Sequence, residues 1–374
     1  MAETLATERD ARHLQRAIDL ACEARGHTSP NPLVGAVIVK HGRVIGEGFH
    51  SAAGQPHAER EALANCSEDP EGATLYVSLE PCCHRGRTPP CTEAILDAKI
   101  ARVVVASEDP SAKASGRGLG ILRDEGVEVH VATGEVADTA RLINQPFRKH
   151  ARTGRPLVTL KMAMTLDGKV ATTTGDSKWI SGESSRARAH RWRAENDAIA
   201  VGIGTALADD PLLTARVEGV YRQPRRVVFD SEAKLPVTSQ LARTATEVPL
   251  IVICRRAASR AATEALEAAG AEVIVVSGEN EAARVGHALD ELGEREIQSL
   301  LLEGGPHLAG AFLDAREIDE MRVFVAPIVT GGRHARGPLD GQGAEQIAAA
   351  SRALEMSCEE IEGDVLLSAR LKEW

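Results

Sequence analysis

Two short stretches, "PHAERE" from Pro56 and "EPCCHRGRTPPC" from Glu80 to Cys91, hold the residues with the most chemistry in them. They bring one histidine, one glutamate and three of the chain's seven cysteines close together in sequence, beside charged and turn-forming residues rather than inside an apolar run. Taken singly, a histidine before a helix is an ordinary polar residue and a cysteine is most often a small buried filler. Together they match a catalytic zinc site, which takes three protein ligands and leaves the fourth position to water. One His and two Cys meet that need, and a cysteine opening a helix is favoured as the thiolate that binds metal. Glu59, two residues from His57, is placed to carry a proton to a leaving group. Which of the adjacent pair Cys82 and Cys83 would bind stays open on this pattern alone. An odd number of cysteines in a long chain argues against a disulfide framework.

These residues need a scaffold, and 374 residues are too many for one ordinary core, so two domains are expected. At 43% hydrophobic and 26% charged the chain reads as globular, and with aromatics at 3% its cores are built from Ala, Val, Leu and Ile. Its apolar runs are far shorter than the ~20 residues a membrane span requires. The charged N-terminus "MAETLATERDARH" lacks the apolar centre of a signal peptide, so a cytoplasmic location is expected. A net charge of −10 disfavours a non-specific nucleic-acid binder, while leaving room for a local basic pocket that takes a phosphorylated small molecule.

The first 150 residues alternate strand and helix signals. "PLVGAVIVK" and "RVIGEGFH" flank a tight turn at His41-Gly42, "PHAEREALANC" is a short helix, and "ATLYVSLE" is a strand ending at Glu80. "CTEAILDAKI", "RVVVAS", "GRGLGILRDEG" and "VEVHVAT" continue the alternation to about five strands in a layered α/β unit. The basic, Gly- and Pro-punctuated "NQPFRKHARTGRP" (144–156) places the boundary, dividing the chain into 1–150 and 151–374. The second half again alternates β and α and finishes in antiparallel-looking strands at "ALEMSCEEIEGDVLLSAR". It has no G-x-G-x-x-G, but "LLLEGGPHLAGAFL" runs a strand into Gly-Gly-Pro and a helix, which offers free N–H groups to a phosphate.

"SPNPLVGAVIV", "GEGFH", "HAE" and "EPCCHRGRTPPC" together resemble the deaminase half of the bifunctional deaminase/reductases of riboflavin biosynthesis. Nucleoside and tRNA deaminases place the two cysteines two residues apart. Here eight residues separate Cys82 from Cys91, as in that family. The resemblance implies His57, Cys82 and Cys91 as zinc ligands and Glu59 as acid/base, with Cys83 a bystander where the family usually has Ser. It implies substrate contacts at Asn31, His50, His84, Arg87 and Asp109. The chain departs from the family's Asp-Pro-Asn-Pro in reading Asp109-Pro110-Ser111-Ala112, and Ser111 lacks the two-sided hydrogen bonding of Asn.

In the second half, "LKMAMTLDGK", "GDSKWIS" and "VGIGTALADDPLLTAR" are similar to the reductase half of the same family. That resemblance implies a dihydrofolate-reductase-like fold and NADPH as cofactor. Ala163, Trp179, Thr205 and Asp209 match cofactor contacts, and Gly305, Pro306, His307, Leu308, Ala309, Gly310 and Ala311 match the pyrophosphate-binding turn. Lys161, Ser177, Arg193, Leu213, Arg216 and Glu303 match substrate contacts, with Arg193 and Arg216 suited to clamping a 5′-phosphate. Read without the resemblance, "ESSRARAHRWR" is a solvated basic helix face.

The expectation is an α/β protein with an N-terminal cytidine-deaminase-like three-layer domain and a C-terminal dihydrofolate-reductase-like domain. It would be a zinc- and NADPH-dependent enzyme that deaminates a diaminopyrimidinone bearing a phosphoribosylamino arm and then reduces the ribosyl group to ribityl. A homo-oligomer, dimer or tetramer, is implied, with no nucleic-acid or membrane partner. The alternative is a tRNA-type deaminase with a non-catalytic accessory domain, against which the acidic charge and the long cysteine insert argue.

Overall fold

The structure is a computed structural model that describes residues 8–85, 89–112 and 114–374. The chain divides into two compact units, one reaching to Thr153 together with Trp374 and the other Gly154–Glu373. Among the described residues no helix is long and apolar enough to cross a membrane.

The first unit runs α1 (Glu8–Cys22), β1 (Gly35–Lys40), β2 (Arg43–Phe49), α2 (Ala58–Ala64), β3 (Thr74–Val77), α3 (Cys91–Asp97) and β4 (Arg102–Val105). It closes with α4 (Arg117–Asp124), β5 (Glu128–Val131), α5 (Glu135–Ile143) and α6 (Gln145–Thr153). The sheet order is β2-β1-β3-β4-β5, with β1 antiparallel to β2 and β3 and the rest parallel. Alternation along the strands makes three layers. Ala36, Ile38, Leu75, Val77, Val103 and Val105 pack under α2, α3 and α4. Val37, Val39, Tyr76 and Val104 face α1 and α5 on the other side. A side chain at Gly35 would sit 2.0 Å from the Ala17 carbonyl, so only glycine lets α1 lie this close to the sheet. Each fully buried Leu or Ile contributes roughly 1.5–3 kcal/mol, which makes these two apolar layers the main support of this unit.

Two local readings are corrected. The segment around residue 150, read as a punctuated boundary, is helical through Thr153, because Pro146 sits in the first turn where its missing N–H costs nothing. Strand β3 stops at Val77 rather than Glu80, since the chain must leave the sheet to deliver the cysteines.

The second unit runs β6 (Leu157–Thr165), α7 (Glu183–Glu195), β7 (Ala198–Gly202), α8 (Ile203–Asp209), β8 (Arg225–Phe229), α9 (Gln240–Arg243) and β9 (Leu250–Arg255). Then follow α10 (Arg260–Ala268), β10 (Glu272–Val276), α11 (Glu281–Glu294), β11 (Ser299–Leu302), α12 (Pro306–Asp314), β12 (Glu320–Ala326), β13 (Glu355–Ile361) and β14 (Asp364–Arg370). They form one sheet of order β10-β9-β8-β7-β11-β6-β12-β14-β13, parallel from β10 to β12 and antiparallel at the last two strands. The near-continuous apolar runs of β9 and β11 are what a parallel strand covered on both faces requires. Because β11 inserts between β7 and β6, the carboxyl ends of these strands open a crevice where ligands bind in such sheets.

Candidate active sites

In the first unit, His57 is the N-cap of α2, and the first turn of that helix directs Glu59 inward, where it is 3% exposed. Cys91 is the first residue of α3, and its backbone N–H donates to Cys82 Sγ at 3.3 Å. The His57 Nδ1 atom lies 3.4 Å from Cys82 Sγ and 3.3 Å from Cys91 Sγ, and all three donor atoms fall within 4.8 Å of one another. Tetrahedral zinc with N and S ligands at about 2.0 and 2.3 Å needs donors ~3.6 Å apart, so the three residues fit that ion. Facing the Cys91 thiol and the His57 ring, Cys82 is held far below the usual thiol range, at about 4. Cys91 is pushed up by the adjacent Cys82 sulfur and by burial. A bound cation would take both as thiolates.

Burial, aided by the charge of Cys82, raises the Glu59 carboxyl to about 7, and the carboxyl reaches the Cys91 sulfur. A proton carrier poised near neutrality is what general acid–base work at pH 7 asks for. Cys83 is set apart: it is half-buried, its thiol pushed up by burial, and it lies outside the cluster.

Around this centre, His50 Nδ1–H donates to the Pro56 carbonyl at 3.0 Å, which leaves Nε2 to accept from Asn31 Nδ2 at 3.0 Å. The His50 ring stands edge-on to His57 at 5.3 Å. His84 is exposed, and Arg87 lies outside the described residues. Asp109 accepts from the Ser111 N–H at 2.7 Å, so Ser111 shapes this turn through its backbone. Sequence reading missed two supports. Glu80 is buried and accepts N–H groups from Asp109, Gly116 and Gly118 at 3.2, 3.0 and 3.0 Å. Arg60 donates to the Pro90 carbonyl at 2.9 Å, bracing the residue before Cys91. Both depend on partners about 30 residues away that no local pattern announces.

In the second unit, Lys161, Ala163, Ser177, Thr205, Asp209, Glu303, Gly305 and Pro306 line a cavity of about 420 Å³ at the strand ends. A neighbouring cavity of about 550 Å³ shares Thr205, Gly305 and Pro306 and adds His307, Leu308 and Ala311. Gly305 caps α12 and Pro306 occupies its first turn, which leaves the next N–H groups of the helix directed at the crevice. The second cavity has an apolar floor from Ile203, Ile253 and Val276, with Lys234 and Arg284 at its edge, a chemistry that fits a phosphate-bearing dinucleotide. Ala309 and Gly310 are buried and line neither cavity. A side chain at Gly310 would sit 2.1 Å from the Asp340 carbonyl, so its glycine serves close packing.

Four further predicted residues stand outside the cavity walls. Trp179 is 72% exposed, with the Arg186 guanidinium 4.8 Å over its ring. Leu213 is buried in a left-handed conformation with φ of 53°. Arg193 is held by Glu303 through two bonds of 2.8 Å, and Arg216 is exposed and meets His190. Helix α7 is thus no solvated face, because Ser185, Ala189 and Trp192 are buried and Trp192 stacks on Phe324 at 5.3 Å. Burial alone would raise the Glu303 carboxyl, but the charges of Arg193 and Lys161 outweigh it and hold it at about 2. Lys161, 3.9 Å from Glu303, is itself lowered by burial. Sequence reading missed Lys178, which pairs with Asp209 at 3.6 Å, and Arg336, which lines both cavities.

Comparison with known proteins covers both units. Residues 7–107 match the cytidine and deoxycytidylate deaminase zinc-binding region, and residues 156–367 match the RibD C-terminal domain. The riboflavin biosynthesis protein RibD of Actinobacillus pleuropneumoniae is 42% identical over 361 residues, 96% of this chain and 95% of that one. The corresponding protein of Escherichia coli is 37% identical over 356 residues, 91% and 93% of the two chains. Form 1 of Acinetobacter baumannii RibD superposes with a TM-score of 0.87 at 37% identity, over 98% of this chain and 99% of that one. A Thermotoga maritima structure described as a diaminohydroxyphosphoribosylaminopyrimidine deaminase and 5-amino-6-(5-phosphoribosylamino)uracil reductase has a TM-score of 0.83 at 33% identity, over 97% and 99%.

Proposed function

The chain belongs to the RibD family of riboflavin-biosynthesis deaminase/reductases, and on that premise we propose that its two sites act in turn on one phosphorylated pyrimidine. The first unit deaminates 2,5-diamino-6-(5-phosphoribosylamino)pyrimidin-4-one, and the second reduces the ribosyl group of the product to ribityl with NADPH. The observation that carries the reading is the His57, Cys82 and Cys91 cluster with buried Glu59 against it. Matches along both units favour it over a nucleic-acid deaminase with a passive second domain.

His57 Nδ1, Cys82 and Cys91 would hold zinc, whose Lewis acidity would make a water nucleophilic at neutral pH. Glu59 accepts the proton that this water gives up and returns it to the exocyclic amine, which leaves as ammonia while the water oxygen takes its place on the ring. Asn31, oriented by His50, presents its amide to the ring edge. His84 and Arg87 are assigned to the phosphoribosyl arm, and Asp109 to the substrate. Cys83 has no part in the chemistry.

In the second unit bound NADPH would supply the hydride, and the protein's work is placement. The turn from Gly305 to Ala311, with Ala163, Trp179, Thr205 and Asp209, is assigned to the cofactor. Lys161, Ser177, Arg193, Leu213, Arg216 and Glu303 are assigned to the substrate. Arg193 is spoken for by Glu303, so its role is to hold that carboxylate and the 214 carbonyl in place, which leaves Arg216 as the phosphate contact. The domain assignment that follows is deaminase for 1–150 and reductase for 151–374. The same reading takes the protein as a cytoplasmic homo-oligomer. The exposed edge strand β13, with Met356 uncovered, supports assembly. Titrating fragment 150–374 with NADPH tests the reductase: saturable binding is expected, and none would end the claim.

A further inference from the structure

His190 stands on α7 one turn before Arg193, and its Nε2 lies 2.9 Å from Arg216 Nη2. A guanidinium has donors only, so this contact is a hydrogen bond only when Nε2 carries its lone pair and the proton sits on Nδ1. His190 is therefore a neutral imidazole while it holds Arg216. Its Nδ1 is buried and faces the Thr214 backbone.

The segment carrying Arg216 is otherwise fixed through its main chain. Arg193 Nη1 donates to the Thr214 carbonyl at 3.3 Å. The Gln223 amide brackets Ala215, accepting from its N–H at 2.9 Å and donating to its carbonyl at 3.1 Å. These bonds set where the Arg216 backbone lies but leave its long side chain free. Arg216 is exposed, and among the described residues the polar partner of its guanidinium is His190.

We propose that His190 is a positioning residue of the reductase: as the Nδ1–H tautomer it accepts one N–H of Arg216 and fixes the guanidinium, so that the remaining donors meet the phosphate monoester of the substrate. This rests on the reading of Arg216 as the phosphate contact. Fixing an arginine rotamer before binding removes an ordering cost that the substrate would otherwise bear. The groups facing the ring are Arg193 on its own helix, Arg216 on the loop, Glu303 after β11 and the Thr214 backbone. Burial and the two arginines lower its pKa, with Glu303 opposing them, so the neutral form prevails at neutral pH. As pH falls through that lowered value, Nε2 gains a proton and can no longer accept.

The test uses the full-length enzyme, the phosphoribosylamino-uracil substrate and NADPH oxidation, with ammonia release from the first unit as an internal control. His190→Phe is expected to raise KM for the uracil ~10-fold, with kcat within ~2-fold and KM for NADPH unchanged, the loss of one charge-assisted hydrogen bond. His190→Gln, whose amide oxygen still accepts, should stay within ~3-fold of the parent and lose the acid-side rise in KM. Arg216→Ala should raise KM at least ~10-fold, and adding His190→Phe to it should change nothing more. If Arg216→Ala raises KM and His190→Phe does not, the role of His190 is overturned while the phosphate contact stands. If Arg216→Ala leaves KM untouched, the phosphate contact falls and the proposal with it. Equal damage in Phe and Gln variants, with kcat and Tm lowered together, would mark a structural residue and also overturn it.

Discussion

In the first unit three donor atoms converge within 4.8 Å beneath one buried glutamate, whereas in the second the candidate residues are strung along two adjoining cavities and several are already paired with each other. The difference follows from what each reaction asks of the protein. Activating water needs a few side chains of fixed type at one point, with a carboxyl tuned by burial. Hydride transfer needs two large molecules aligned, so the second unit invests in backbone N–H groups, glycines and a charge pair that keeps its walls rigid. The first site should therefore fail all at once when one residue is changed, and the second by degrees.

The largest effect is expected at the metal. Cys82→Ser or Cys91→Ser should leave the purified protein without stoichiometric zinc, as measured by elemental analysis. Ammonia release should fall by more than ~10³-fold, while NADPH oxidation with the uracil substrate continues. Next comes Glu59→Gln, which should keep zinc and lower deaminase kcat by about 10²–10⁴-fold. A zinc-loaded Gln variant with full activity would break the assignment of the proton shuttle.

The second unit should respond more gently. Glu303 is a carboxyl depressed from 4.5 to about 2, so its stabilising effect is complete above pH 4.5 and lost as pH falls towards 2. The shift corresponds to about 3 kcal/mol. Acid unfolding followed on the 150–374 fragment should therefore lose a component in that window when Glu303→Gln is made. A parent and variant with the same acid profile would show that the pair with Arg193 carries no such weight. The deaminase loses activity in the same direction but in a higher window, because burial raises the Glu59 carboxyl instead of depressing it: below about pH 7 its carboxylate is consumed by protons, and kcat/KM should fall by up to ~10-fold per unit. Cys83→Ser should be the smallest change, leaving zinc and both activities within ~2-fold, as a neighbour outside the cluster requires.

What sequence reading captured divides along the same line. His57, Glu59 and the neighbouring cysteines stood out because their chemistry depends on residue type and short spacing, although only the family resemblance preferred Cys82 to Cys83, and the alternating strands of the first unit followed from period-two burial. The pairing of Arg193 with Glu303 spans 110 residues and carries no local signal. For that reason α7 looked like a solvated basic helix until its buried Trp192 stripe and its partners were placed. The helix at Gln145–Thr153 was hidden by Pro146 and Gly154, which punctuate a helix end as readily as a linker. Glu80, Arg60, His190, Lys178 and Arg336 were missed because each acts through a partner that only the fold supplies.

The order of the two reactions is tested most directly by supplying the diaminopyrimidinone phosphate and following ammonia and NADPH in one sample. Ammonia release is expected without NADPH, and NADPH oxidation only after ammonia appears. Glu59→Gln should abolish both, and the uracil substrate should restore NADPH oxidation to that variant. NADPH oxidation that runs ahead of ammonia, or ammonia release undiminished in Glu59→Gln, would contradict it.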